Sequence, residues 1–248
     1  MQKLLALGVL GLACAASARA GEEAVVFKSG AEQASGVLVT PEGKGPFPAV
    51  IVIQEWWGLT DWVKQQARAL AKEGYVALAV DLYRGKATDK QEEAHQLMMG
   101  LPPDRALRDL QGAYAWLGAR PDVKKGRIGA IGWCMGGRYT LQLATVEPTL
   151  GAAVAYYGVP PTDAAALAAI RAPVLGNFGG EDKGPTPDQA QAFAAALQKA
   201  GKTVDVKVYP GAGHAFANVH NPWGGYRREA AEDAWARSTA FLARYLKR

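Results

Sequence analysis

Cys134 stands in the run Gly132-Trp133-Cys134-Met135-Gly136-Gly137, between an apolar stretch, Arg127-Ile128-Gly129-Ala130-Ile131, and a helix-like stretch from Arg138 to Thr145. A G-x-C-x-G between a strand and a helix has the pattern of a nucleophile elbow with a thiol at its centre. Such a turn is sharp enough to strain its central residue, and small neighbours let the backbone pass. The geometry lifts one side chain above the sheet edge and aims the next backbone N–H into the same space. A cysteine attacks as thiolate, so it needs a base or a positive field nearby. The candidate bases are His95, His214 and His220. His214 follows the small-residue loop Gly211-Ala212-Gly213, which lets its ring reach inward. His220 shares that loop and competes, whereas His95 lies in a polar, helical stretch and reads as a solvated residue. The base in turn needs an acid that fixes its tautomer. Asp182 follows the run Ala172 to Phe178 and a Gly179-Gly180 turn, with Glu181 beside it as the alternative.

These residues need a scaffold that brings them together, and the chain supplies an alternation of strand and helix signals. Ala24 to Lys28 and Ser35 to Thr40 alternate like strands of an antiparallel edge. Ala49 to Ile53 is an apolar, largely β-branched run suited to a strand buried on both faces. Asp61 to Glu73 carries helical periodicity and stops at Gly74. Tyr75 to Val80, Gly126 to Gly132, Ala152 to Tyr157, Ala172 to Phe178 and Thr203 to Tyr209 read as further strands. Asp104 to Leu117, Asp163 to Ile170, Pro187 to Ala200 and Arg227 to Lys247 read as helices, with Pro102-Pro103 at the start of the first. The expected fold class is α/β, a mostly parallel central sheet with helices on both faces. Such sheets place chemistry in loops at the carboxyl ends of strands. Four loops there are chemically loaded: Gln54 to Thr60, Cys134 itself, Gly179 to Asp182, and Gly211 to His214. The chain order nucleophile, acid, histidine (134, 182, 214) is that of the α/β-hydrolase fold.

The composition is that of an ordinary globular protein: 248 residues, 49% hydrophobic and 21% charged. Lys3, the apolar run Leu4 to Ala16 and Ala18-Arg19-Ala20 read as a signal peptide over residues 1–20, leaving residues 21–248 as one domain in a secreted or periplasmic protein. The apolar run is too short to span a bilayer comfortably, so no stable membrane insertion is expected after cleavage. Cleavage would remove Cys14 and leave Cys134 as the sole thiol, with no intramolecular disulfide. Loss of Lys3 and Arg19 takes the formal net charge from +5 to +3. That is too mild a charge to argue for nucleic acid, and no basic run is interleaved with aromatics. The His and Cys spacings form no metal set. No cofactor is expected, and a monomer is.

Gln54-Glu55-Trp56-Trp57-Gly58, Asp81-Leu82-Tyr83, the Cys134 elbow, Tyr156-Tyr157-Gly158, Gly180-Glu181-Asp182 and Gly213-His214-Ala215-Phe216 together resemble the dienelactone hydrolases. The resemblance covers nearly the whole chain beyond residue 20. It implies a triad of Cys134, His214 and Asp182 that cleaves a small lactone or ester through an acyl thioester. It also implies a thiol-regulating role for Glu55, whose family counterpart holds the resting thiol protonated until substrate displaces the carboxylate. A protonated thiol resists oxidation. The bland alternative for Glu55 is a structural salt bridge. The oxyanion hole would use the backbone N–H groups of Trp56 and Met135. Arg84, Tyr83, Trp57 and Phe216 are the candidate substrate-binding residues, and Trp56, Tyr157 and Trp223 extend the aromatic set.

The best-known members of this family clamp a substrate carboxylate with arginines. The position of one is Asn218 here, and a neutral amide cannot make a bidentate pair with a carboxylate. Arg84 stands one place earlier than the other. Arg227 and Arg228 read more simply as the solvated start of the last helix. A less acidic ester or lactone is therefore the expected substrate. Two other classes compete. One is a non-catalytic scaffold of this fold that binds an apolar ligand. The other is a redox sensor, which would lack a resolving cysteine.

Overall fold

The computed structural model describes residues 21–248, so the expected signal peptide lies outside the described residues. Eight strands form one sheet: β1 (Gly21–Ser29), β2 (Glu32–Thr40), β3 (Phe47–Ile53), β4 (Val76–Asp81), β5 (Val123–Trp133), β6 (Ala152–Tyr156), β7 (Val174–Gly179) and β8 (Val204–Tyr209). Their order is β1-β2-β4-β3-β5-β6-β7-β8. The β1–β2 and β2–β4 pairs are antiparallel, and every pair from β4 to β8 is parallel. Ala49 to Ile53 is fully buried between β4 and β5, which accounts for its apolar run.

The connecting helices are α1 (Asp61–Lys72), α2 (Gln91–Met99), α3 (Pro103–Ala119), α4 (Met135–Val146), α5 (Ala164–Ala169), α6 (Pro187–Lys199) and α7 (Arg228–Leu242). They cover both faces, and buried side chains accordingly form one core on each side of the sheet. Local chemistry explains the helix ends. Gly74 takes a positive φ of 85° just after α1. Pro103 opens α3, where its missing N–H costs nothing. Thr186 and Gln189 form a reciprocal capping box on α6.

The last helical stretch differs from the expected single helix over Arg227 to Lys247. Regular α-helix ends at Leu242, and Ala243–Lys247 forms a π-helical turn. Leu246 from this turn packs against Gly129 and Gly151, where a β-carbon would come within 2.9 and 2.6 Å of its methyl groups. Arg127 donates to the Tyr245 carbonyl at 3.1 Å. The wider turn lets one residue seat in the core while a neighbouring carbonyl faces a side-chain donor. That is a tertiary demand, invisible to helical periodicity. Among the described residues, no helix is long and apolar enough to cross a membrane.

Candidate active site

The elbow is built by close backbone approach. Cys134 caps α4 with φ 54° and ψ −118°, a strained conformation for a residue with a β-carbon. A β-carbon on Gly132 would lie 2.3 Å from the Gly136 carbonyl oxygen, and one on Gly136 would lie 2.2 Å from that of Ile53. Only glycines let α4 start directly against the ends of β3 and β5. The Cys134 N–H donates to Tyr156 O at 3.0 Å, fixing the turn to β6. Strain concentrates here: of the four described non-glycine residues with positive φ, Cys134, Tyr157 and Ala215 lie in or beside the site. Cys134 is partly exposed and is a free thiol at the N-terminus of α4.

His214 follows β8, and its Nδ1 lies 2.8 Å from Asp182 Oδ2. The other Asp182 oxygen accepts from the Gly184 N–H at 2.9 Å, which aims the carboxylate. Asp182 is buried while Glu181 is exposed, so the pair resolves in favour of Asp182. The His214 ring lies in the same cavity as Cys134, and its outer edge packs on Tyr157 with ring centroids 5.2 Å apart. Burial opposes charge on the imidazole. Asp182 and Cys134 outweigh it and together push its pKa from 6.5 up to about 10. A proton taken up by this ring is therefore held at neutral pH. His95 and His220 are both exposed and lie outside this cavity.

Glu55, just beyond β3, is buried, and its Oε2 accepts from Asn218 Nδ2 at 2.6 Å. Its Oε1 has no hydrogen bond of good geometry, nor has the buried Tyr157 hydroxyl that approaches it. Burial raises the Glu55 pKa from 4.5 to about 7. Asn218, His214 and Tyr157 moderate that rise by favouring the carboxylate. Among the described residues no hydrogen bond joins Glu55 to the thiol. Asn218 thus has an unforeseen role: its amide is buried and turned inward onto Glu55, not outward toward substrate.

The Cys134 cavity has a volume of about 500 Å³. Cys134, Met135, Tyr139, Tyr157 and His214 line it. Trp56, Trp223, Met98, Met99 and Leu101 also border it, as does Arg138 from α4. Trp56 and Met135 both line this cavity with Cys134.

None of the four expected substrate-binding side chains lines this cavity. Phe216 is fully buried in the core beneath it, against Tyr156, Tyr157 and Tyr209. Trp57 packs edge-on against Trp56 and faces a different groove. The Tyr83 hydroxyl donates to Met135 Sδ at 3.3 Å, supporting the first residue of α4. Arg84 is held by buried Asp109 at 2.8 Å, and by Glu32 at 3.7 Å. Arg227 donates to Gly211 O, and Arg228 pairs with Glu232. The lining from α2, with its adjacent methionines, and from Arg138 was not foreseen. Methionines at helical spacing read as core, and a residue one turn past a nucleophile reads as helix surface. Among the described residues no cluster of His, Cys, Asp and Glu could hold a metal ion.

An eight-stranded α/β sheet with a nucleophile elbow, a strand-end acid and a strand-end histidine defines an α/β-hydrolase. The chain belongs to the dienelactone hydrolase family, whose model matches residues 34–246, and it is by that membership a hydrolase. It is 35% identical over 240 residues to a candidate carboxymethylenebutenolidase of Methylorubrum extorquens, covering 91% of this chain and 81% of that one. A solved structure of a candidate dienelactone hydrolase from Klebsiella pneumoniae superimposes with TM-score 0.79 at 32% identity, covering 91% of this chain and all of the other. A dienelactone hydrolase-like promiscuous phosphotriesterase from metagenomic libraries superimposes with TM-score 0.82 at 28% identity, covering 91% and 98% of the two chains.

Proposed function

We propose that this protein cleaves a small ester or lactone through a thioester on Cys134, with His214 as base and Asp182 as the acid that orients it. The observation that carries the reading is the 2.8 Å Asp182–His214 hydrogen bond beside a free thiol held at positive φ. The bond occupies Nδ1 and leaves Nε2 for the thiol. His214 takes the thiol proton, and Sγ attacks the carbonyl carbon. The developing oxyanion is held by the Met135 and Trp56 amides; one such donor is worth about 10²–10³ in rate. The carbonyl re-forms as the alkoxide leaves with the proton from His214. Water, deprotonated by the same ring, then attacks the thioester, releasing the acid and the free thiol. A lactone follows the same path with its alkoxide still tethered to the acyl group.

Glu55 acts on the thiol indirectly. With a pKa near 7 and an orphaned oxygen, it is a buried group that can carry or release a proton beside the triad. The related candidate carboxymethylenebutenolidases agree with a lactone as substrate. Turnover of simple aryl esters by wild type and Cys134→Ala tests the reading. A fall of about 10³-fold or more is expected in the variant. Equal rates would overturn it and favour a ligand-binding scaffold.

A further inference from the structure

We infer that Asn177 and Ser238 are positioning residues for the triad: through them α7 clamps the carboxyl ends of β6, β7 and β8 in the relation that the chemistry of Cys134 requires. The inference rests on the thiol-hydrolase reading and adds how that site is held.

A buried polar cluster lies between α7 and the sheet, inside an aromatic and aliphatic core. Asn177, Tyr156 and Ser238 are each at most 1% exposed. Ser238 Oγ donates to Ala234 O at 2.7 Å, so it accepts from the Tyr156 hydroxyl at 2.7 Å and from Asn177 Nδ2 at 3.3 Å. Asn177 Oδ1 accepts from Arg237 Nη1 at 2.7 Å. The Tyr209 hydroxyl donates to Asp233 Oδ2 at 2.7 Å. None of these buried side-chain atoms is left without a partner. Polar groups cost free energy to bury, and apolar ones of the same shape would fill this space without that cost. A fully satisfied network does something they cannot: it admits one arrangement of its parts.

The cluster grips three adjacent strands from one helix. Asp233 and Arg237 lie one turn apart on α7, with Ser238 next to them. Tyr156 ends β6 and Tyr209 ends β8. Asn177 pairs in register with Tyr156, near the end of β7.

Those strand ends in turn hold the site. Tyr156 O accepts the Cys134 N–H at 3.0 Å. Asn177 O accepts the N–H of Tyr157 at 2.8 Å, the strained residue whose ring packs on His214. Tyr209 O accepts the Gly180 N–H at 2.8 Å, and the Glu181 N–H donates to Ala212 O at 2.9 Å. A β-carbon on Gly179 would lie 2.5 Å from that same Ala212 oxygen, so the loops of Asp182 and His214 cross in direct backbone contact. Cys134 and both of these loops are thus bonded to strand ends that α7 holds by their side chains. A misplacement of about 1 Å can cost about 10²-fold in rate, so slack at these strand ends reaches kcat before it reaches substrate affinity.

The test is a matched pair of substitutions. Ser238→Ala removes the hydroxyl that joins Tyr156 to Asn177. Ser29→Ala removes an equally buried hydroxyl, which donates to Asp109 at 2.6 Å outside this cluster. Arg237→Met is a second cut in the cluster. All are assayed on 4-nitrophenyl acetate well below their Tm, for kcat and KM separately. The rate of Cys134 alkylation by iodoacetamide is a further readout that needs no substrate. Ser238→Ala is expected to lower kcat about tenfold with KM within about twofold of wild type, and to slow alkylation severalfold; Arg237→Met should act in the same direction. Ser29→Ala should keep wild-type kcat and alkylation even where its Tm falls further. Wild-type kcat and alkylation in both Ser238→Ala and Arg237→Met overturn the inference, and so does an equal loss of kcat in Ser29→Ala. Cys134→Ala assayed alongside separates the two readings. Wild-type rates in that variant would remove the thiol mechanism and the inference with it, whereas lost activity there, with Ser238→Ala indistinguishable from Ser29→Ala, would remove only the role of α7.

Discussion

Two buried carboxylates are treated in opposite ways. Asp109, on α3, is fully buried, accepts from Ser29 Oγ at 2.6 Å, and lies 2.8 Å from the Arg84 guanidinium. Glu55 is 2% exposed and has a neutral amide, not a cation, as its hydrogen-bonded partner; each of the two carboxylates keeps one oxygen without a hydrogen bond. The first arrangement ties α3, β1 and the loop after β4 into one block. The second leaves a titratable group without a cation partner close to His214 and Tyr157, with a pKa moved to about 7 by burial. A buried charge with a cation partner contributes to structure, and a buried acid without one is held ready to change its protonation. The contrast also explains why Arg84 is absent from the Cys134 cavity: Asp109 already holds it.

The largest effect that can sharpen this contrast lies at a third buried acid, Asp182. Asp182→Asn keeps the shape but presents an amide to His214 Nδ1 and so favours the wrong tautomer. A kcat loss of about 10²–10⁴ is expected on any ester the wild type cleaves, with little change in Tm. Loss of folding in place of activity would make Asp182 structural, like Asp109.

The next effect belongs to the structural carboxylate. Arg84→Met leaves Asp109 buried without its cation, and a stability loss of about 3–5 kcal/mol is expected by chemical denaturation. The damage should appear in the unfolding midpoint and not in KM. A large rise in KM with unchanged stability would return Arg84 to the substrate site and break the comparison.

The smallest effect is at Glu55 and depends on pH. Below pH 4.5 its carboxyl is protonated in both the folded and unfolded chain. Between pH 4.5 and about 7 the unfolded chain releases the proton and the folded chain keeps it, so stability falls as pH rises through that window. Above pH 7 the cost is constant, at about 3 kcal/mol. Glu55→Gln never titrates, so it should be more stable than wild type at pH 8, with the difference vanishing toward pH 4.5. A pH-independent difference would mean that Glu55 is compensated as Asp109 is.

Much of this was legible in the residues. A β-carbon on any elbow glycine would lie within 2.5 Å of a backbone carbonyl oxygen, a constraint that shows directly as sequence. Asp182 and His214 follow strands, and in a parallel sheet strand ends converge, so chain order already implied proximity. The continuous apolar run of β3 read as a strand buried on both faces, and it is fully buried between β4 and β5.

Other features could not be read in one dimension. Asn218 looked like a lost substrate clamp, but its loop turns the amide inward to Glu55, a partner 163 residues away. Arg84 and Asp109 meet only because α3 packs on β1. Phe216 and Trp57 looked like pocket aromatics, and packing sent one to the core and the other to a neighbouring groove. Arg138 and Met99 carry no local signal, because their exposure around one cavity depends on how α2 and α4 face each other. Sequence alone determined the sheet, the elbow that carries Cys134 and the chain order of Cys134, Asp182 and His214, since those depend on backbone geometry and chain direction. Tertiary structure decided which polar side chains are spent on one another, because that depends on burial and on contacts between distant segments.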